Sequence, residues 1–247
     1  MKISEVSVFL PAYNEEKNIT RTVEGVVSVL RKVAGKYEIL VIDDGSGDKT
    51  GKIADDLAKK YSEVKVFHHH PNMGYGECFR DGFYKSRYSW VVHTDGDGQF
   101  DFREFPRFIE KQEETNADLV IGYYLKRAVP FYRKLYSFVW QKIIFLIFGL
   151  NVRDIDCAFK LINRKVIQEI PRLEAGRGAF IVSELLIKAQ KKGFKFAEVG
   201  VHHFPDLTER GSNGADLNVI IGSFVDLFRL WKKLRDVKKN EELAKTT

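Results

Sequence analysis

"SWVVHTDGDGQFD" (89–101) runs from an apolar stretch straight into two aspartates separated by Gly96. Val91 and Val92 read as the buried part of a strand, and the glycine-rich acidic turn reads as its end. "REFPRFIEKQEE" (103–114) then has helical spacing, apart from Pro106. The same unit occurs three times upstream. "VSVFL" (6–10) precedes "EEKNITRTVEGVVSVLRKV" (15–33), in which Ile19, Val23, Val26, Val27 and Leu30 keep helical spacing. "YEILVI" (37–42) precedes "GKIADDLAKKY" (51–61), and "VKVF" (64–67) precedes "GECFRDGFYKS" (76–86). "DLVIGYY" (118–124) is one more strand. This alternation predicts an α/β fold: a mostly parallel sheet, helices on both faces, right-handed crossovers.

The second half is less regular. Residues 130–149 read as a very apolar helix and "AFKLIN" (158–163) as a strand. "IVSELLIKAQKKG" (181–193) reads as an amphipathic helix stopped by Gly193, and "FKFAEVGVHHF" (194–204) alternates like a strand. The last segment, 217–239, predicts a long helix with Ile220, Phe224, Leu227, Phe228, Trp231 and Leu234 on one stripe. No segment reaches the roughly 20 apolar residues that span a bilayer. The nearest, "IIFLIFGL" (143–150), is cut off by Gln141 and Lys142, and the N-terminus lacks the apolar core of a signal peptide.

The totals bound the class. With 247 residues, 44% apolar and 30% charged, the chain is globular. Its net charge of +6 favours anionic partners without choosing among them. Cys78 and Cys157 stand far apart, which argues against a disulfide framework or a cysteine zinc site and fits a reducing cytosol. No basic and aromatic module suggests nucleic acid, and nothing sets an oligomeric state.

Position is the informative fact about the acids. "PAYNEE" follows the first strand, "DDGSGDKT" the second and "DGDGQFD" the fourth. In an open parallel sheet these three loops share the rim where ligands bind. Carboxylates gathered there call for a cation, and a divalent ion holding a phosphate is the natural occupant. Other motifs fail. "PAYNEE" has no glycine, so a dinucleotide fingerprint is absent. "GSGDKTGKI" (45–53) has the wrong spacing for a P-loop and ends on Ile53. A calcium loop starting at Asp95 would need glycine at Phe100 and glutamate at Pro106. In a strand the three histidines 68–70 point to alternate faces, so they do not ligate one ion. Asn72 and Gly74 in "PNMGYG" are expected to bring backbone close to a nucleotide.

"FLPAYNEEKNI", "VIDDGSGDKT", "NMGYG", "HTDGDGQFD", "DIDCAFKLINR" and "SELL", in this order, resemble the family 2 glycosyltransferases of the GT-A fold. Among them the chain is most similar to polyprenyl- and dolichyl-phosphate hexose synthases. The resemblance covers residues 3 to about 212. It implies a GT-A domain over 1–212, with an interfacial or acceptor helix at about 126–150, followed by an amphipathic helix and basic tail over 213–247. It further implies that Pro11, Ala12, Tyr13 and Glu15 frame the nucleotide and that Ile42, Asp43 and Asp44 meet base and ribose. Asp95 and Asp97, with Gly96 between them, match the metal-binding pair, and Gln99 an added ligand for Mg²⁺ or Mn²⁺. Arg127, Arg133 and Ser137 match positions that receive an acceptor phosphate, and Arg210 one near the donor diphosphate. "RGSNGAD" (210–216) departs from the family pattern in lacking a lysine.

The implied reaction is inverting transfer of mannose or glucose from GDP-mannose or UDP-glucose to a polyprenyl or dolichyl phosphate. The implied place is the cytosolic face of a membrane, bound peripherally. Aromatics and cations in 130–149, and Lys232, Lys233, Arg235, Lys238 and Lys239 near the C-terminus, suit that surface. Glu184 is the candidate base if the acceptor is instead a sugar hydroxyl; otherwise it is a helix-surface carboxylate. A non-catalytic nucleotide-sugar-binding protein is the remaining alternative.

Overall fold

The alternation of apolar strands and amphipathic helices is built as the pattern dictates. The computed structural model describes residues 2–126, 131–176, 178–205 and 217–246. In chain order the elements are β1 (Ile3–Ala12), α1 (Ile19–Val33), β2 (Ala34–Asp43), α2 (Thr50–Lys60), β3 (Val64–His68), α3 (Tyr75–Lys85) and β4 (Trp90–His93). After a 3₁₀ turn (Phe102–Glu104) come α4 (Phe105–Thr115), β5 (Leu119–Lys126), α5 (Phe131–Phe148), β6 (Lys160–Asn163), α6 (Arg164–Glu169), α7 (Phe180–Lys191), β7 (Phe196–His202) and α8 (Leu217–Thr246). Pro106 does not interrupt its helix. It stands in the first turn of α4, where its missing N–H has no partner to lose.

Seven strands form one sheet in the order β3-β2-β1-β4-β6-β5-β7. β1 pairs in parallel with β2 on one side and β4 on the other, so the strand order reverses at β1. That reversal opens a crevice at the carboxyl ends of β1 and β4. The expected mostly parallel sheet is found with one exception: β6 runs antiparallel to β4 and β5. Lys160, the first residue of β6, pairs with His93, the last of β4. The chain therefore enters β6 from the rim and must run away from it.

Each face has its own core. Phe9, Phe79, Phe83, Ile144, Ile181 and Leu185 belong to one, which gathers α3, α5, α7 and α8. Val8, Leu10, Ile19, Val23, Leu30, Phe105 and Phe108 belong to the other, beneath α1, α2 and α4. Each such side chain contributes roughly 1.5–3 kcal/mol when fully buried. The strands are pinned at their far end by Glu38, 1% exposed, which accepts from Ser7 Oγ at 2.8 Å and Lys65 Nζ at 2.9 Å. Glu38 thus ties β1, β2 and β3 together away from the carboxyl edge.

Candidate active site

Three loops are laced together on that edge by backbone. Asp44 N donates to Ala12 O at 2.9 Å, and Gly96 N donates to Pro11 O at 3.0 Å. Gly96 is glycine because a Cβ would sit 2.8 Å from Pro11 O, and Gly98 because its φ is +72°. The start of α1 holds the same turn: Thr22 Oγ1 donates to Gly96 O at 3.2 Å and Arg21 Nη2 to Gly98 O at 3.4 Å. The glycines of "DGDG" thus let the turn close onto β1 while Asp95 and Asp97 remain partly exposed.

Asp95 is oriented from below. Tyr75 Oη lies 3.4 Å from Asp95 Oδ1 and 2.9 Å from His93 Nε2. His93 is fully buried and stacks on Phe9 with ring centroids 4.9 Å apart. Burial, opposed by Asp95, holds the imidazole pKa below its usual value, so the ring is neutral. Nδ1 has no hydrogen-bond partner. The tautomer that satisfies both contacts carries its proton on Nε2 and donates to Tyr75, whose hydroxyl then donates to Asp95. Burial, then Asp95, push the Tyr75 pKa well up, with Asp97 adding to the effect, so the phenol keeps its proton and sits close to both carboxylates. Asp97 Oδ1 accepts from Gln99 N at 2.9 Å. Gln99 Nε2 donates to Phe204 O at 3.0 Å, which directs its amide nitrogen to the loop after β7. Two carboxylates and an amide oxygen are an all-oxygen donor set that suits a hard divalent cation.

Asp43 and Asp44, expected to meet base and ribose, stand at the end of β2 and are held there by dense hydrogen bonding. Asp44 is 3% exposed and its carboxylate is saturated. Oδ1 receives His69 Nδ1 and Met73 N, both at 2.9 Å; Oδ2 receives Asn72 Nδ2 and Gly74 N, both at 2.8 Å. Four donors fill the acceptor capacity of a carboxylate. Asp44 therefore anchors the 72–74 loop through Asn72, Met73 and Gly74 (φ +91°). Asp43, 2% exposed, accepts from Ser46 N at 3.2 Å and pairs with His68 Nδ1 at 2.8 Å. His68, the last residue of β3, and His69, just past it, thus serve different aspartates.

Pro11, Ala12 and Ile42 are buried on the rim, while Tyr13 is 42% exposed beside them. Glu15 accepts from Asn18 Nδ2 at 2.8 Å and its carbonyl receives Ile19 N at 2.9 Å, so it starts α1. Arg127 and Arg210 lie outside the described residues. Arg133 falls in the first turn of α5, and its side chain also lies outside them. Ser137, one turn later, lines a cavity of 490 Å³.

Glu184 is not on a helix surface. It is 2% exposed on α7, where Oε2 receives Glu174 N at 2.9 Å and Ala175 N at 2.7 Å, and Oε1 pairs with Lys188 Nζ at 2.5 Å. Its acceptor capacity is directed at the 174–175 backbone.

Sequence reasoning missed Tyr75, His93 and Lys160. Lys160 is 1% exposed, and its ammonium donates to Ile155 O at 3.2 Å and to Cys157 O. Burial holds its pKa down while the thiol of Cys157 and Asp154, Asp156 and Asp95 pull it up. It ties β6 to the acidic turn beside the rim. Burial pushes the thiols up, Cys157 to about 12, so neither cysteine is a nucleophile.

Comparison with known proteins bears on the family and the fold. The model of "Glycosyl transferase family 2" matches residues 7–171. Glycosyltransferase AglD of Haloferax volcanii is 30% identical over 93% of this chain and 37% of its own length. The dolichyl-phosphate beta-glucosyltransferase of Dictyostelium discoideum is 30% identical over 80% of this chain and 65% of its own. The chain thus spans less than two thirds of either relative. Among solved structures, mannosyl-3-phosphoglycerate synthase from Rubrobacter xylanophilus superposes with a TM-score of 0.70 at 16% identity, over 96% of this chain and 75% of that one. Glucosyl-3-phosphoglycerate synthase from Mycobacterium tuberculosis, in complex with Mn²⁺, UDP-glucose and phosphoglyceric acid, gives 0.68 at 19% identity, over 93% of this chain and 80% of that one. These structures share the fold.

Proposed function

The chain belongs to glycosyl transferase family 2, and from that premise we propose that it moves mannose or glucose from a nucleotide sugar to a polyprenyl or dolichyl phosphate. The reading rests first on the Asp95, Asp97 and Gln99 cluster at the switch point of the sheet. Bound there, Mg²⁺ or Mn²⁺ supplies charge neutralisation to the departing diphosphate. Asp95 and Asp97 hold that ion, with Gln99 joining through its amide oxygen. Tyr75 and His93 keep Asp95 aimed outward, so that carboxylate is preorganised for the ion. Pro11, Ala12, Tyr13 and Asp43 frame the nucleotide, and Arg210 adds positive charge at its diphosphate.

The acceptor reading is supported by the surroundings of Glu184, the base candidate. A hydroxyl must lose a proton to a base, and Glu184 is engaged with backbone amides and Lys188. A lipid phosphate is already anionic near neutral pH and needs only to be held. Arg127, Arg133 and Ser137 hold it, guanidinium geometry matching phosphate oxygens. Attack opposite the leaving diphosphate inverts the anomeric carbon and turns an α-linked donor into a β-linked product. No helix among the described residues is long and apolar enough to cross a membrane. In this reading α5 and α8 bring the enzyme onto the cytosolic face, and the exposure of Phe131, Leu135, Phe138 and Phe228 supports it. The dolichyl-phosphate relative supports this class of acceptor.

A panel of GDP-mannose and UDP-glucose, each with a short polyprenyl phosphate or an oligosaccharide and with Mg²⁺ or Mn²⁺, tests the proposal. A β-linked glycosyl phosphate supports it. Turnover on sugar hydroxyls alone overturns it, as does tight donor binding with no turnover. Tyr75→Phe should weaken Mn²⁺ binding about 10- to 100-fold, the usual cost of losing a group that orients a ligand. Titration of the ion without donor measures this directly, and an unchanged affinity would remove Tyr75 from the ion's support.

A further inference from the structure

We propose that Asp44, His69 and Cys78 form a second metal site, separate from the Asp95, Asp97 and Gln99 cluster, that takes Zn²⁺ and clamps the loop leading to Tyr75. The reaction proposed above uses none of the three, so the site stands apart from it.

The ligands come from three elements that the sheet brings together. Asp44 follows β2, His69 follows β3, and Cys78 lies near the start of α3. β2 and β3 pair in parallel with Asp43 opposite His68, which sets Asp44 and His69 side by side. All three side chains are buried, and one ligand atom from each lies within 4.8 Å of the others. Cys78 Sγ stands 3.7 Å from His69 Nδ1, and that nitrogen stands 2.9 Å from Asp44 Oδ1. A tetrahedral Zn²⁺, with bonds of about 2.3 Å to sulfur and about 2.0 Å to nitrogen and oxygen, sets sulfur and nitrogen roughly 3.5 Å apart and nitrogen and oxygen roughly 3.3 Å apart. Both pairs fall within about 0.4 Å of that spacing. The wide separation of the two cysteines in sequence does not bear on this site, which needs only one of them.

The surroundings of His69 favour an ion over a plain hydrogen-bonded cluster. Its ring lies between two carboxylates: Asp44 Oδ1 faces Nδ1 at 2.9 Å, and Asp81 Oδ2 faces Nε2 at 3.2 Å. A neutral imidazole has one N–H and serves only one of them. With an ion on Nδ1 the same neutral ring ligates through that nitrogen and donates Nε2–H to Asp81, the arrangement in which a carboxylate orients a metal-bound histidine. Asp44 gives up only the hydrogen bond from His69 and keeps those from Met73 N, Asn72 Nδ2 and Gly74 N. Burial, then Asp44, push the Cys78 thiol pKa up, so its proton leaves for solvent only as the ion takes its place. Sulfur, nitrogen and one oxygen suit Zn²⁺, whereas the all-oxygen cluster on the rim suits Mg²⁺ or Mn²⁺. Three protein ligands leave the fourth position to water. Bound there, the ion ties the ends of β2 and β3 to α3, whose first residue, Tyr75, supports Asp95.

Co²⁺ titration of the full chain, with Mg²⁺ in excess to fill the oxygen cluster, tests this, because a near-ultraviolet charge-transfer band requires a cobalt–thiolate bond. Stoichiometric Co²⁺ should produce the band and Zn²⁺ should abolish it by displacement; no band would overturn the site. Cys78→Ser should lose the band and at least about 100-fold in affinity, more than the loss of a group that merely orients a ligand. Cys157→Ser should keep both, and a band that follows Cys157 would overturn the site. Asp81→Asn should weaken binding about 10- to 100-fold; an unchanged affinity would mean that His69 does not ligate through Nδ1. Asp97→Ala should leave the band intact, and its loss there would put the ion on the rim instead. Zn²⁺ should raise the melting temperature of the unmodified chain and not that of Cys78→Ser, and an equal rise in both would overturn the clamp. Circular dichroism checks the fold of Cys78→Ser; if it is lost, His69→Gln takes its place with the same expected result. Transfer activity enters none of these readouts, so failure of the glycosyl-transfer reading leaves them standing.

Discussion

Asp97→Ala is expected to lower hexose transfer by at least about 10²- to 10³-fold, the usual loss when a preorganised charge at the developing negative centre is removed. The fold should survive it. Asp97 Oδ1 accepts from Gln99 N, so the alanine variant also loses one local hydrogen bond, worth about 1 kcal/mol. Asp97→Asn separates the two effects: the amide oxygen can still accept from Gln99 N, while the negative charge is gone. If the charge holds a cation, both variants should fall together in kcat/KM and both should need far more Mn²⁺. If the residue only shapes the turn, asparagine should restore activity. Steady-state rates at several Mn²⁺ concentrations, beside a melting curve, distinguish these cases, and wild-type turnover in either variant would end the metal assignment.

How far the site could be read beforehand depended on whether its determinants were local. Asp95, Asp97 and Gly96 are legible because strand, turn and spacing lie within a dozen residues. Asp44 was legible as a rim residue but not as an anchor. Its donors Asn72, Met73 and Gly74 lie some 28 to 30 positions away and meet it only through the β2–β3 pairing. Tyr75 and His93 gave no signal, since a lone histidine ending a strand looks like core until the residue opposite its nitrogen is known. The direction of β6 was equally silent, because a strand of four residues, Lys160–Asn163, fits a parallel or antiparallel partner. In α5 uniform apolarity hid which side packs: only the contacts separate Trp140, Ile144 and Phe148 from Phe138 and Leu146.

Glu184→Ala should destabilise the protein by roughly 3–5 kcal/mol, the cost of leaving one member of a buried ion pair alone. Lys188 would keep only the carbonyl of Arg172, at 2.6 Å, and the amides of Glu174 and Ala175 would lose their acceptor. At this size that is about 10 °C in melting temperature. Residues 173–175 are the part that should loosen, while Gly176 N stays held by Asp226 Oδ2 of α8 at 2.7 Å. The size of the drop matters less than what accompanies it. A base removed from a hydroxyl-transfer enzyme costs kcat at unchanged stability, with a matching change in the pH profile. A buried anchor removed from a lipid-phosphate enzyme costs stability first and activity only as far as the loop drifts. Glu184→Gln sharpens the contrast: it keeps an acceptor for the two amides and abolishes any role as base. Near-normal transfer by the glutamine variant at a temperature where it is folded fits the anchor. A loss of several hundredfold in kcat, with the melting temperature intact, would make Glu184 the base and return the acceptor to a sugar hydroxyl.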